Sequence, residues 1–198
     1  MFSVGYDRQM KKAERDGLRA ARQALLADAS GEVLEVGAGT GASIACYGPA
    51  VTSITLTEPE KPLVRKLERK VAEDARIKVI RAPAEDLPFE DDTFDTVVTS
   101  LVLCGVNDQP RALREIRRVL RPGGKLLFME HVRSDDEQLA RHQDRMNGVN
   151  RFVAGCDCNR PTVKTMATAG FTVAHLEHSE IPHAPKFVRP LVVGTATR

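Results

Sequence analysis

No stretch of this 198-residue chain approaches the ~20 consecutive apolar residues that cross a bilayer, so no membrane-spanning helix is expected. The charged start carries no signal-peptide pattern, which makes the cytoplasm the expected address. Cysteine is scarce: Cys46, Cys104, Cys156 and Cys158 form no C-x-x-C pair and no disulfide framework. Cys46 and Cys104 stand beside apolar residues and read as packing groups. Excess charge is lacking as well. Basic and acidic residues number 29 and 27, leaving a formal net charge of +2 with the signs interleaved. A nucleic-acid binder carries a clustered basic stripe instead, so no nucleic-acid partner is expected. Arg8, Lys11, Lys12, Arg15, Arg19 and Arg22 recur mostly every three or four residues. They read as the solvated face of an amphipathic helix, with weak contact to an anionic membrane as the alternative.

What the chain does contain is an ordinary globular composition, 42% hydrophobic and 28% charged, in a length that suits one domain. Residues Asp7 to Ala27 have helical spacing and end at Ser30-Gly31. Strands are expected at Glu32–Val36, Val51–Thr57, Ile77–Arg81, Phe94–Thr99 and Lys125–Glu130, separated by helices. Those helices are a short one at Thr40–Tyr47, then Pro62–Ala72 and Gln109–Leu120, the last stopped by Arg121-Pro-Gly-Gly124. After a helix near Pro161–Ala169, two more strands, Phe171–His178 and Leu191–Thr197, follow one another and read as an antiparallel hairpin. Alternating strands and helices predict an α/β fold: a doubly wound, mostly parallel seven-stranded Rossmann-like sheet with one antiparallel strand at or near the edge. No repeat or linker divides the chain, so residues 1–198 are expected to form a single domain.

The most informative segment is Val33-Leu-Glu-Val-Gly-Ala-Gly-Thr-Gly-Ala42. An apolar strand runs into Gly37, Gly39 and Gly41, where the missing Cβ lets backbone turn sharply against a ligand. The spacing is not the G-x-G-x-x-G that faces a pyrophosphate with a helix N-terminus. Glu35, at the strand's carboxyl end, would repel a pyrophosphate and attract an ammonium group. A glycine loop beside an acid points to a cationic, zwitterionic nucleoside, and S-adenosylmethionine fits that description. A tight turn without a ligand is the alternative. Glu58 ends the second strand at the spacing, about 20 residues past the loop, that suits an acid bonding ribose hydroxyls; its alternative is a surface acid before a helix. In Ala82-Pro-Ala-Glu-Asp-Leu-Pro-Phe89, backbone at Ala84 or Glu85 is placed to meet adenine, while Leu87 and Phe89 pack the loop. Thr99-Ser-Leu-Val-Leu-Cys104 supplies an apolar floor where reacting groups would meet.

Together these segments resemble the class I SAM-dependent methyltransferases. The resemblance is carried by Glu35-Val-Gly-Ala-Gly-Thr-Gly41, Ala84-Glu-Asp-Leu-Pro88, Phe94-Asp95 and Leu113-Arg-Glu-Ile-Arg-Arg-Val-Leu-Arg-Pro-Gly-Gly124. Within that class the chain is similar to the thiol S-methyltransferase group, through Leu101-Val-Leu-Cys104, Phe128-Met-Glu-His-Val132, Gly155-Cys156 with Asn159, and Val188-Arg-Pro190. Quinone and small-heterocycle methyltransferases share much of this pattern. The resemblance implies that Glu35, Gly37, Ala38, Gly39 and Gly41 line the methionine and ribose end of the cofactor. It implies Glu58 with Pro59 for the ribose hydroxyls, Ala84 and Glu85 beside adenine, and Ser100 and Leu101 at the reacting end. Tyr6 is similar to an aromatic that closes over the methionine. Many members place an acid directly before the position of Ala84, where this chain has Pro83, so recognition of the adenine amine is left open. The N-terminal membrane anchor of animal members has no counterpart in these residues, which implies a soluble acceptor.

The expected activity is methyl transfer from S-adenosylmethionine to a small-molecule thiol, with N- or O-methylation of a heterocycle or quinol as the alternative. A non-catalytic SAM-binding regulator is the rival of another class. Residues 1–30 would cap the site and 134–160 would shape its acceptor side; oligomeric state is left open. A thiol must lose its proton, and His131, at the carboxyl end of the fifth strand, stands on the correct face to accept it. Its alternative is a histidine satisfied by a carbonyl. His142 and Asp144 read as solvated. In Gly155-Cys-Asp-Cys-Asn159 the C-x-C pair supplies two ligands where structural zinc sites use four in paired spacings, so no metal is expected. That loop is expected to line the acceptor cavity, with Asp157 or Asn159 capping the helix after it.

Overall fold

In the computed structural model, which describes residues 12–198, β1 (Gly31–Val36), β2 (Val51–Thr57), β3 (Ile77–Ile80), β4 (Phe94–Ser100), β5 (Leu120–His131), β6 (Thr172–Glu180) and β7 (Pro190–Thr197) build one sheet. Its order is β3-β2-β1-β4-β5-β7-β6. The first five strands run parallel to one another, and β7 runs antiparallel to both β5 and β6. The expected reversed strand thus lies one place in from the edge. Strand order changes direction between β1 and β4, where Val36 sits beside Thr99. In an open α/β sheet the ligand crevice opens past the carboxyl ends of such a pair.

Alternation along the strands divides the core in two. Val33, Ile54, Leu56, Val98, Leu127 and Met129 pack on one face with Leu18 and Leu26. Leu34, Val97, Leu126 and Phe128 pack on the other with Leu113, Ile116 and Met166. Helices α1 (Arg19–Leu26), α2 (Lys61–Val71), α3 (Gln109–Val119), α4 (Glu137–Ala154) and α5 (Thr162–Thr168) cover the sheet. Helix α3 begins where the Asp108 side chain accepts from the N–H of Arg111 at 2.9 Å, satisfying one of the donors a helix start leaves open. No helix among the described residues is long and apolar enough to cross a membrane.

Three expectations are corrected. Arg22 is not part of the solvated face: it is 3% exposed and forms a two-pronged pair with Glu14 at 2.6 and 2.8 Å. Lys12, Arg15 and Arg19 are exposed as expected, and Arg8 and Lys11 lie outside the described residues. Thr40–Tyr47 forms only a 3-10 turn, Ile44–Cys46, because left-handed Gly41 precedes it and Gly48-Pro49 follows. Neither Asp157 nor Asn159 caps α5, whose N-cap position is Pro161 with no side-chain bond. Asp157 is held by Asn147, Arg151 and Arg160 instead, and Asn159 donates to Asp144.

Candidate active site

The glycine loop leaves β1 in left-handed backbone: φ is 66° at Gly37 and 57° at Gly39, a region that costs side-chain-bearing residues about 1–2 kcal/mol. A Cβ at Gly37 would also press on the Val102 side chain at 2.8 Å. At Gly39 it would meet nothing closer than 4.0 Å. The loop is therefore bare on one side and closed on the other. Glu58, 5% exposed, reaches back to it from the end of β2. One carboxylate oxygen accepts the N–H of Gly39 and the other that of Glu60, both at 3.0 Å.

A cleft of about 350 Å³ opens past these strand ends, lined by Gly37, Glu58, Pro59, Ala84, Glu85 and Leu101, with Pro83 and Val102. Six of the residues singled out in the sequence meet in that wall. Ala38, Gly39, Gly41 and Ser100, also singled out in the sequence, do not line that cleft. Ala38 donates to the Thr57 carbonyl at 2.9 Å, and Ser100 Oγ accepts from Arg22 at 3.4 Å. The Glu85 carboxylate accepts from the N–H groups of Asn107 and Asp108 at 2.7 and 3.2 Å, pinning the adjoining loop. Leu87 is buried and Phe89 stacks edge-on against Phe94 at 5.0 Å, as loop packing requires.

Glu35 is enclosed rather than set in the cleft wall. It is 3% exposed, and the Tyr47 hydroxyl donates to it at 2.8 Å. Burial raises its pKa, opposed by hydrogen bonds from Ser43 and Tyr47 and by the charges of Arg22 and Lys70. Tyr6 lies outside the described residues.

Beside this cleft lies a second cavity of about 440 Å³, whose walls include Leu101, Cys104, Gly105, His131, Asn150 and Cys156. Leu101 and Gly105 belong to both spaces. Leu101 has φ 59°, a left-handed conformation rare for a branched residue and found where surrounding structure enforces it. The enforcement is visible. Its N–H donates to the Met129 carbonyl at 2.8 Å, and buried Glu130 takes the N–H groups of Val102 and Leu103 at 3.1 Å each. Burial pushes the Glu130 carboxyl up to about 7 despite those donors.

His131, the last residue of β5, is buried, and its Nε2 has no hydrogen-bond partner among the described residues. Its ring nitrogen and the sulfurs of Cys104 and Cys156 all lie within 4.8 Å of one another. A shared hydrogen bond between the two thiols lowers the pKa of Cys156, which His131 and Asn150 lower further, and raises that of buried Cys104. Cys104 is buried as a packing group would be, yet its sulfur faces His131 and Cys156 rather than apolar side chains alone. Cys158 is the one that packs: it donates to the Gln143 carbonyl, and burial pushes its thiol up to about 11. The C-x-C spacing drew attention to Cys156 and Cys158, but the side chains that meet are Cys104 and Cys156, some fifty positions apart, which no spacing along the chain marks. Glu130, Tyr47 and Arg22 were also missed; Glu130 alone carried a signal, standing beside His131 at a strand end.

A bare glycine cradle, a buried acid at the next strand tip and an apolar cavity beyond define a SAM-dependent methyltransferase, and these residues fit the cofactor. The methyltransferase domain family matches residues 34–128. Human thiol S-methyltransferase TMT1A is 33% identical over the whole chain and 83% of its own length. Human TMT1B is 35% identical over 87% of this chain and 74% of its own. A geranyl diphosphate methyltransferase solved with SAM superposes with a TM-score of 0.76 at 14% identity, over 99% of this chain and 91% of that one, and shows the same fold. The chain belongs to the thiol S-methyltransferase family of SAM-dependent methyltransferases.

Proposed function

We propose that this enzyme methylates the sulfur of a small-molecule thiol. Bound S-adenosylmethionine supplies a methyl group on a cationic sulfur; the acceptor's lone pair forms the new carbon–sulfur bond, and the pair of the broken bond stays with the departing thioether. The chain's own task is alignment and exclusion of water, with reacting atoms held ~3–3.5 Å apart. Gly37, Gly39 and Gly41 let backbone lie against the cofactor, with Ala38 and Ser100 behind them. The free lone pairs of Glu58 take ribose hydroxyls beside Pro59, and Ala84 and Glu85 flank adenine. Glu35 contributes negative charge beneath the loop on the ammonium side. Leu101 stands at the boundary between donor and acceptor.

The observation that carries this reading is the shared wall: the cleft holding Gly37 and Glu58 joins the cavity holding His131 through Leu101 and Gly105. A thiol is the acceptor favoured by that second cavity, where apolar side chains surround two sulfurs and one imidazole. The names of the two human relatives support the same choice. A reducing cytoplasm suits four cysteines that are all free. Labelled SAM offered with a panel of thiols, phenols and N-heterocycles tests the assignment, with label expected on thiols. Methylated phenols without methylated thiols would overturn it.

A further inference from the structure

Cys104, His131 and Cys156 arrive from the loop after β4, the end of β5 and the turn after α4, yet their donor atoms share a space within 4.8 Å. All three line the 440 Å³ cavity. His131 is 2% exposed, and its Nε2 has no hydrogen-bond partner among the described residues. A buried polar atom without a partner costs about 1–3 kcal/mol, which a ligand at that nitrogen would offset. Two sulfurs and an imidazole are soft donors, suited to zinc and unsuited to magnesium or calcium. Charge agrees: two thiolates and a neutral imidazole balance a divalent cation, so the three-ligand site would bring no net charge into an apolar wall before an acceptor binds.

The surroundings are built to hold this geometry. The Asp157 N–H donates to the Cys104 carbonyl at 2.8 Å, tying the two cysteine segments together. Arg160 donates to the carbonyls of Leu103 and Val106 at 2.9 and 2.6 Å. The Asn150 amide donates to the Cys156 carbonyl at 2.8 Å and to its sulfur at 3.4 Å, the kind of outer contact that orients a thiolate ligand. In a tetrahedral zinc site the donor atoms stand roughly 3.5–3.8 Å apart, a contraction that side-chain rotation can supply.

We propose that Cys104, His131 and Cys156 bind one zinc ion whose fourth position opens into the cavity and receives the acceptor's sulfur. Three protein ligands and one open position are the pattern of a catalytic rather than a structural zinc site. The inference rests on the thiol reading for the identity of the fourth ligand. As the acceptor's sulfur binds, its S–H bond breaks and the proton passes to solvent water. The sulfur lone pair fills the open position, and the metal stays divalent throughout. A coordinated thiol is deprotonated outright, so His131 serves as ligand rather than as the proton acceptor its sequence position suggested.

The test uses the full chain, purified reduced and without chelators. Metal content by mass spectrometry should be about one zinc per chain. Cobalt-loaded protein should show tetrahedral absorption with sulfur-to-metal charge transfer, and an added small thiol should shift those bands. Cys104→Ser and Cys156→Ser should each weaken metal binding at least about tenfold, whereas Cys46→Ser should retain it. Should those variants unfold, zinc-dependent elevation of the wild-type Tm supplies an independent readout. Reduced wild type that takes up no cobalt overturns the proposal, including the case in which the two thiols only form a disulfide. Thiol methylation by such a metal-free protein would leave the proposed function standing. Cobalt uptake by an enzyme that methylates phenols and not thiols would remove the fourth ligand named above and the thiol reading with it.

Discussion

Arg160 and Asp157 form an ion pair at 2.5 Å in which both side chains are almost hidden, 13% and 12% exposed. The pair joins two segments that the chain keeps far apart, because Arg160 also holds the carbonyls of Leu103 and Val106. Removing Arg160 leaves Asp157 with Arg151 and Asn147 as partners and takes the side-chain donors from the Leu103 and Val106 carbonyls. Arg160→Met is therefore expected to cost about 3 kcal/mol, measured by urea unfolding. The loss should exceed that of Arg141→Met, whose partner Glu137 sits on an exposed helix face.

Glu58 places the cofactor prediction on one side chain. Its carboxylate braces Gly39 and Glu60, and the proposed function gives its remaining lone pairs to the ribose hydroxyls. Glu58→Gln should weaken S-adenosylhomocysteine binding by about ten- to a hundredfold, read by calorimetry. A change of less than twofold in a folded protein would remove Glu58 from the cofactor site.

Close packing at Gly37 yields a paired prediction. Gly37→Ala adds a methyl at 2.8 Å from Val102 in left-handed backbone, which should lower stability by about 1–3 kcal/mol and weaken cofactor binding. Val102→Ala in the same chain should recover part of the steric share but not the backbone share. Equal effects of Gly37→Ala with and without Val102→Ala would mean that the two do not touch.

The Tyr47 hydroxyl bond to Glu35 predicts a pH dependence. Burial raises the Glu35 pKa, so the folded state binds more protons than the unfolded chain between the ordinary carboxylate value and the raised one. Stability contributed by this group therefore falls as pH rises through that interval. Tyr47→Phe removes a donor that favours the carboxylate form, extending the fall to higher pH. The Tm difference between wild type and Tyr47→Phe should be small in acid and grow toward neutrality. A difference that does not change with pH would assign Tyr47 to packing alone.

Much of this molecule was legible before any coordinates. Strand positions followed from β-branched runs closed by glycine or proline, and β2 was bounded to the residue. The reversed strand followed from two consecutive strands with no helix between them. The short helix after the glycine loop failed because a left-handed residue cannot continue a right-handed turn. Arg22 failed because helical spacing marks a face without saying whether an acid, Glu14, will arrive to neutralise it.

Local chemistry along the chain determined the cofactor: a bare turn between acidic strand tips needs only neighbouring residues and the parallel-sheet rule. The acceptor side was decided by tertiary structure. Cys104, His131 and Cys156 share no spacing, because they come from a loop, a strand end and a helix end that meet only when β4 and β5 pair and α4 closes across them. Patterns read along one dimension find groups that backbone geometry brings together within a few residues. They do not find groups that packing alone makes neighbours.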